Sequence, residues 1–288
     1  EILNAKGLEL STVDLIKNKI FEVLNEDEPL DKAKIHWSNS IKNLLNNNTR
    51  LSMPLFFRHY WNSKFGETSD DKLYDKFLST VKPRDESTYL DFLGNLEKEA
   101  LIYNHIVNPK NLSIYNNDPS LQVVNQSLNA ISYIFNIIQA RVLLLSLHNA
   151  RLYSRTIKQQ QFIEVINMIE NFHFAFNAMA SGRPSSIGKM YNKLARLLRN
   201  ETNKNTIKKE LDDFMLNLKS MMPSYDIFKK GFIQITYSNR YDESKNDIAV
   251  YILNKIENKL SSRSENRTPQ TVEHIIPESN GEEYTTIG

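Results

Sequence analysis

A chain of 288 residues, 40 % of them hydrophobic, can bury a sizeable core and holds one large or two modest domains. Its 36 basic and 34 acidic residues leave a formal charge of +2, so contact with a nucleic acid must rest on a local patch rather than on a global field. Cysteine is absent, which excludes a disulfide frame and every thiolate site, zinc or catalytic, and fits a reducing cytoplasm.

With only 8 Gly and 9 Pro, and apolar residues recurring at three and four, the chain is expected to be mainly α-helical. Ser11 or Thr12 caps a first helix to about residue 24, whose inner side carries Val13, Ile16, Ile20, Val23 and Leu24. Further helices are predicted over 31–45, 54–64, 71–81 and 86–106, separated by Pro, Gly, Asn or Asp clusters. Asp118 and Pro119 start another, along which Leu121, Val124, Leu128, Ile131, Ile134 and Phe135 fall at helical spacing. The apolar run over 130–147 is broken by Asn136, Gln139 and Arg141. It is too interrupted for a membrane span and is read as a buried helix pair. Phe162, Val165, Ile166, Ile169, Phe172, Phe176 and Met179 form one unbroken stripe of a central helix. Three more helices are predicted over 186–198, 204–221 and 247–260, the last with Ile248, Tyr251, Ile252, Ile256 and Leu260 on one side.

After Leu260 the texture changes. "SSRSENRTPQ" is polar and marks a boundary, and the "TVEHIIP" that follows reads as a short strand closed by Pro277. It carries adjacent Glu273 and His274. A histidine can take a proton from water and a carboxylate can ligate Mg²⁺ or Mn²⁺, the two needs of metal-assisted phosphodiester cleavage. Neighbouring strand residues point to opposite faces, so the pair serves one site only where the strand twists or ends. The plain alternative is an exposed strand-end pair.

The other histidines, His36, His59, His105, His148 and His173, are scattered and none has the spacing that puts two zinc ligands on one helical face. His173 falls within the Phe172 to Phe176 stripe and is expected as a hydrogen-bonded core residue. Arg58 and His59 could touch a phosphate, but aromatic helix packing is the simpler reading of "FFRHYW". Lys189, Lys193, Arg196 and Arg199 lie along one side of their helix and form the best candidate for contact with a DNA backbone. The competing reading is a solvated outer face. The Asn-rich stretches "NLLNNNT" and "NETNKNT" suggest no mechanism.

"TVEHIIP" resembles the first strand of the HNH nuclease motif in the GmrSD-type family, where a Glu-His-Ile-x-Pro segment follows a long helical region. "FFRHYWNSKFG" resembles a helix of the same family, and "ILNAKGLELSTVDLIKNKIF" resembles the junction after its nucleotide-handling domain. The resemblance implies His274 as general base and Glu273 as metal ligand, with Mg²⁺ or Mn²⁺ as cofactor and DNA as substrate of a bacterial restriction or anti-phage enzyme. It implies three parts: 1–25 as the end of an upstream nucleotide-handling domain, 26–262 as a helical body, and 263–288 as a truncated start of the ββα-metal element. The Asn that the family places after Ile-Gly would follow Gly288. The chain therefore reads as an internal fragment with little or no cleavage activity of its own. A homo-oligomer is possible on this reading, and a membrane partner is not expected. The rival reading is a non-catalytic helical scaffold for domain, subunit or DNA-backbone contacts.

Overall fold

The computed structural model of the chain describes residues 11–45, 51–182, 186–237 and 243–260. Contacts divide it into Glu1–Ile233 and Gln234–Gly288. Among the described residues every regular element is helical.

The first unit opens with α1 (Thr12–Val23), where Ser11 and Asp14 form a reciprocal capping box and Val13, Ile16 and Ile20 are buried. α1 packs on α3 (Met53–Lys64) and α4 (Asp70–Thr80). α2 (Asp27–Leu45) begins four residues before the predicted start, because Pro29 sits in its first turn, where no intrahelical N–H is required. It lies along α5 (Glu86–Val107), whose Asp85 caps the Thr88 N–H. Phe57, Tyr60, Phe77, Tyr89 and Phe92 interlock where α3, α4 and α5 meet.

α6 (Gln122–Asn129) is entered through a 3₁₀ turn at Pro119–Leu121, capped by Asp118 as the sequence anticipates. It widens into a π-turn at Ala130–Ile134 and then breaks at Asn136, in the left-handed region at φ 51°. α7 (Arg141–Leu152) follows, so the apolar run is indeed a broken helical pair. α8 (Gln159–His173) does not carry its stripe unbroken to Met179. Phe174–Met179 forms a second π-turn, which shifts the face and leaves Phe176 only partly buried. α9 (Ser186–Asn200) and α10 (Lys204–Ser220) match the predicted helices closely. Asn203 caps α10 by accepting from the N–H groups of Asn205 and Thr206. One residue of the asparagine-rich stretches thus has a local role after all. α11 (Tyr225–Phe232) was not anticipated: it has only eight residues, and although Tyr225, Phe228 and Phe232 share a side, none of its side chains is fully buried.

One core cluster runs from Val13 to Leu218, and α1 contributes Val13, Ile16 and Ile20 to it. α3, α5, α7 and α9 pack together at its centre. In the second unit, α12 (Glu243–Leu260) buries Ala249 and Tyr251, whereas Ile256 and Leu260 of its predicted inner side are exposed. The contact boundary after Ile233 falls earlier than the composition change near residue 262. The predicted strand over 271–277 lies outside the described residues.

Candidate functional site

Glu273 and His274 also lie outside the described residues, and of the sequence-predicted site only the α9 set can be placed. α9 buries Ile187, Tyr191, Leu194, Ala195 and Leu198 against the core. Its opposite side presents Lys189, Lys193 and Arg196 to solvent, at positions i, i+4 and i+7. At the rise of an α-helix that row spans roughly 10 Å.

Arg199 is not part of this row, and the expectation that it joins the basic face is corrected by its burial. Its side chain is 5 % exposed, and so is that of Glu99 on α5. The guanidinium forks onto both Glu99 carboxylate oxygens, with Nη2 to Oε2 at 2.8 Å. Its Nε donates to Ser146 Oγ of α7 at 3.1 Å, and Nη2 also reaches Ser63 Oγ of α3 at 3.3 Å. Asn149 donates to the same carboxylate at 2.9 Å. A buried charge is tolerated only when paired and hydrogen-bonded, and this pair, itself joining α5 and α9, has further partners from α3 and α7. Its effect is to lock α9 at a fixed rotation, with the cation row facing out. Beside it the Tyr60 hydroxyl is buried without a partner, and burial, with the Glu99 charge, pushes its pKa up.

The positive surface extends beyond α9 to a residue that periodicity along one helix could not reveal. Lys64 ends α3, half-buried over the rings of Phe65 and Tyr60, and burial together with the Arg199 charge lowers its pKa. At the adjacent Gly66, φ is 115°, and a methyl group there would lie 3.3 Å from an Arg196 guanidinium nitrogen. Arg196 therefore reaches across to the end of α3. Acidic groups border the row on its other side. Glu210 and Asp213 of α10 line a groove with Met190, Lys193 and Leu197.

The described histidines are structural in setting. His173 Nδ1 donates to Asn177 Oδ1 at 2.6 Å and Nε2 accepts from the Tyr191 hydroxyl at 2.7 Å, as a core histidine should. His148 repeats the pattern, with Nδ1 to the Leu144 carbonyl and the Tyr115 hydroxyl on Nε2. Burial holds them neutral, with pKa values pushed down to about 4 and about 3. His105 is held down to about 4 by burial. His36, near the surface, meets Glu97 at 2.6 Å. Among the described residues no three His, Cys, Asp or Glu side chains converge as a metal site would require.

No family model, curated protein or solved structure matches this chain. The likeness to GmrSD-type proteins thus rests on the three quoted segments. Of these, the one over 56–66 is described, as are residues 11–21 of the one over 2–21, and Phe56, Phe57, Tyr60 and Trp61 are core residues of α3.

Proposed function

We propose that the helical body holds a DNA backbone along α9 and belongs to a metal-dependent HNH-type endonuclease of restriction or anti-phage defence. In that enzyme His274 acts as general base and Glu273 as a ligand of Mg²⁺ or Mn²⁺, the cation offsetting charge on the phosphate. The observation that carries the DNA-binding part is the exposed Lys189, Lys193, Arg196 row on a helix whose rotation is fixed by the Arg199–Glu99 pair. Exposed cations at such spacing suit contact with phosphates, which carries no sequence readout. The nuclease part rests on the resemblance of the three quoted segments, and its residue roles on "TVEHIIP".

The scaffold reading is supported by a different observation, the Glu210 and Asp213 carboxylates along the groove beside Lys193. Acidic neighbours repel DNA and suit a protein surface. One experiment separates the two. Duplex binding by the chain is measured against salt, with the double variant K193E/R196E as comparison. The DNA reading expects affinity to fall with salt in the parent, and the slope of log affinity to shrink by about one per cation removed. An unchanged slope rejects it and leaves the scaffold. For the chemistry, His274→Ala in the full-length gene product should abolish Mg²⁺- or Mn²⁺-dependent nicking of plasmid, and retained nicking removes the assignment.

A further inference from the structure

The last two turns of α5 and the chain that leaves them border a cleft of about 370 Å³, within the size range of small-molecule sites. Leu101, Asn104 and His105 line it from one side of the helix, and Lys110, Asn111 and Ile114 from the turn that follows. Two of these carboxamides are held in one orientation. Asn104 is 8 % exposed, and its Nδ2 donates to the Leu44 carbonyl of α2 at 2.6 Å, which leaves Oδ1 to meet a ligand. Asn111 Oδ1 accepts from the Ser113 N–H at 3.0 Å and from the Ser113 hydroxyl, which leaves Nδ2. A backbone carbonyl only accepts and a backbone N–H only donates, so neither amide is free to flip.

The cleft therefore carries one fixed acceptor and one fixed donor. No acidic side chain is among its described lining residues, and Lys110 is exposed and in no ion pair among the described residues. The C-terminal end of α5 sets only about half an elementary charge of opposite sign against that ammonium, so the cleft stays net positive. His105, held neutral by burial, adds no charge. Leu101 is 48 % exposed and Ile114 half-buried, an apolar pair that a flat ring would shield from water.

We propose that this cleft binds a purine nucleotide bearing a 6-amino group, of the adenosine monophosphate type. The edge of such a base presents an N–H donor beside a ring-nitrogen acceptor, the complement of Asn104 Oδ1 and Asn111 Nδ2. Its ring covers Leu101 and Ile114, and its phosphate meets Lys110. A neutral sugar would leave the apolar pair wet and the ammonium unmatched. The site shares no residue with the α9 row, so either assignment can fail alone.

The test is calorimetric titration of the full chain with adenosine monophosphate, inosine monophosphate and adenosine at constant ionic strength. One adenosine monophosphate per chain is expected. The inosine form turns a 6-oxo acceptor toward Asn104 Oδ1 and should bind about tenfold more weakly or worse, because that buried oxygen then lacks a donor. Lys110→Ala removes an exposed side chain and leaves the fold intact. It should weaken the monophosphate about tenfold, the loss of one charge-assisted contact, and leave adenosine unchanged. A 5′-phosphorylated oligoadenylate that binds no better than the monophosphate identifies the free nucleotide as ligand, and tighter capture identifies a strand end. No uptake of adenosine monophosphate, equal uptake of the inosine form, or unaltered affinity in Lys110→Ala overturns the site.

Discussion

At the scale of residues, Glu99–Arg199 is the most deeply buried ion pair among the described residues. Breaking a buried ion pair from one side strands the other charge in a low-dielectric interior, at a cost of roughly 3–5 kcal/mol. Arg199→Met should therefore lower the urea midpoint sharply, and the double variant E99M/R199M should recover much of the loss. Equal damage from the single and double changes would mean that packing, not charge, holds α9. The sequence held part of this. Arg199 follows Ala195 by four but also Arg196 by three, so spacing alone puts it on the flank between the buried and the exposed side of α9. Its partner could not be read, because Glu99 is 100 residues away and no local period links them. His173 was legible for the opposite reason: its apolar neighbours are local.

At the scale of elements, long amphipathic helices announced themselves and irregular ones did not. α5 and α10 end close to where periodicity and caps place them. The π-turn at Phe174–Met179 escaped, since one extra residue in a turn rotates the face without changing composition. α11 escaped because it is short and docks through one ring contact, Phe228 on Phe174 at 5.9 Å, and a close backbone approach. A methyl group on Gly231 would stand 1.9 Å from the Met179 carbonyl oxygen, so the helix docks on the π-turn through the missing side chain. Gly231→Ala should undock α11, a local penalty of about 1–3 kcal/mol. Limited proteolysis should then cut faster near residues 221–224, while the main melting transition shifts little because α11 buries no side chain fully. An unchanged cleavage rate would refute this account of the docking.

At the scale of the whole molecule, the mainly helical body was legible, the Glu273–His274 stretch stands outside the described residues, and the body buries four histidines that the sequence shows only as scattered. Those groups have a collective consequence. In the unfolded chain His59, His105, His148 and His173 take up protons below about pH 6.5, whereas burial holds their folded pKa values down to about 3 or about 4. The unfolded state then binds more protons in that window. Stability is complete above pH 6.5 and falls toward pH 4, each histidine adding a slope of up to about 1.4 kcal/mol per pH unit. Urea midpoints that stay flat from pH 7 to 4.5 would contradict the buried, neutral imidazoles. The ion pair at the centre bears on kinetics as well. For α9 to lift from α5, two opposite charges must part before water reaches either one, so the first ångströms of separation are the steepest. Such a bond acts as a latch on escape: it lengthens the lifetime of the assembled bundle more than it hastens assembly.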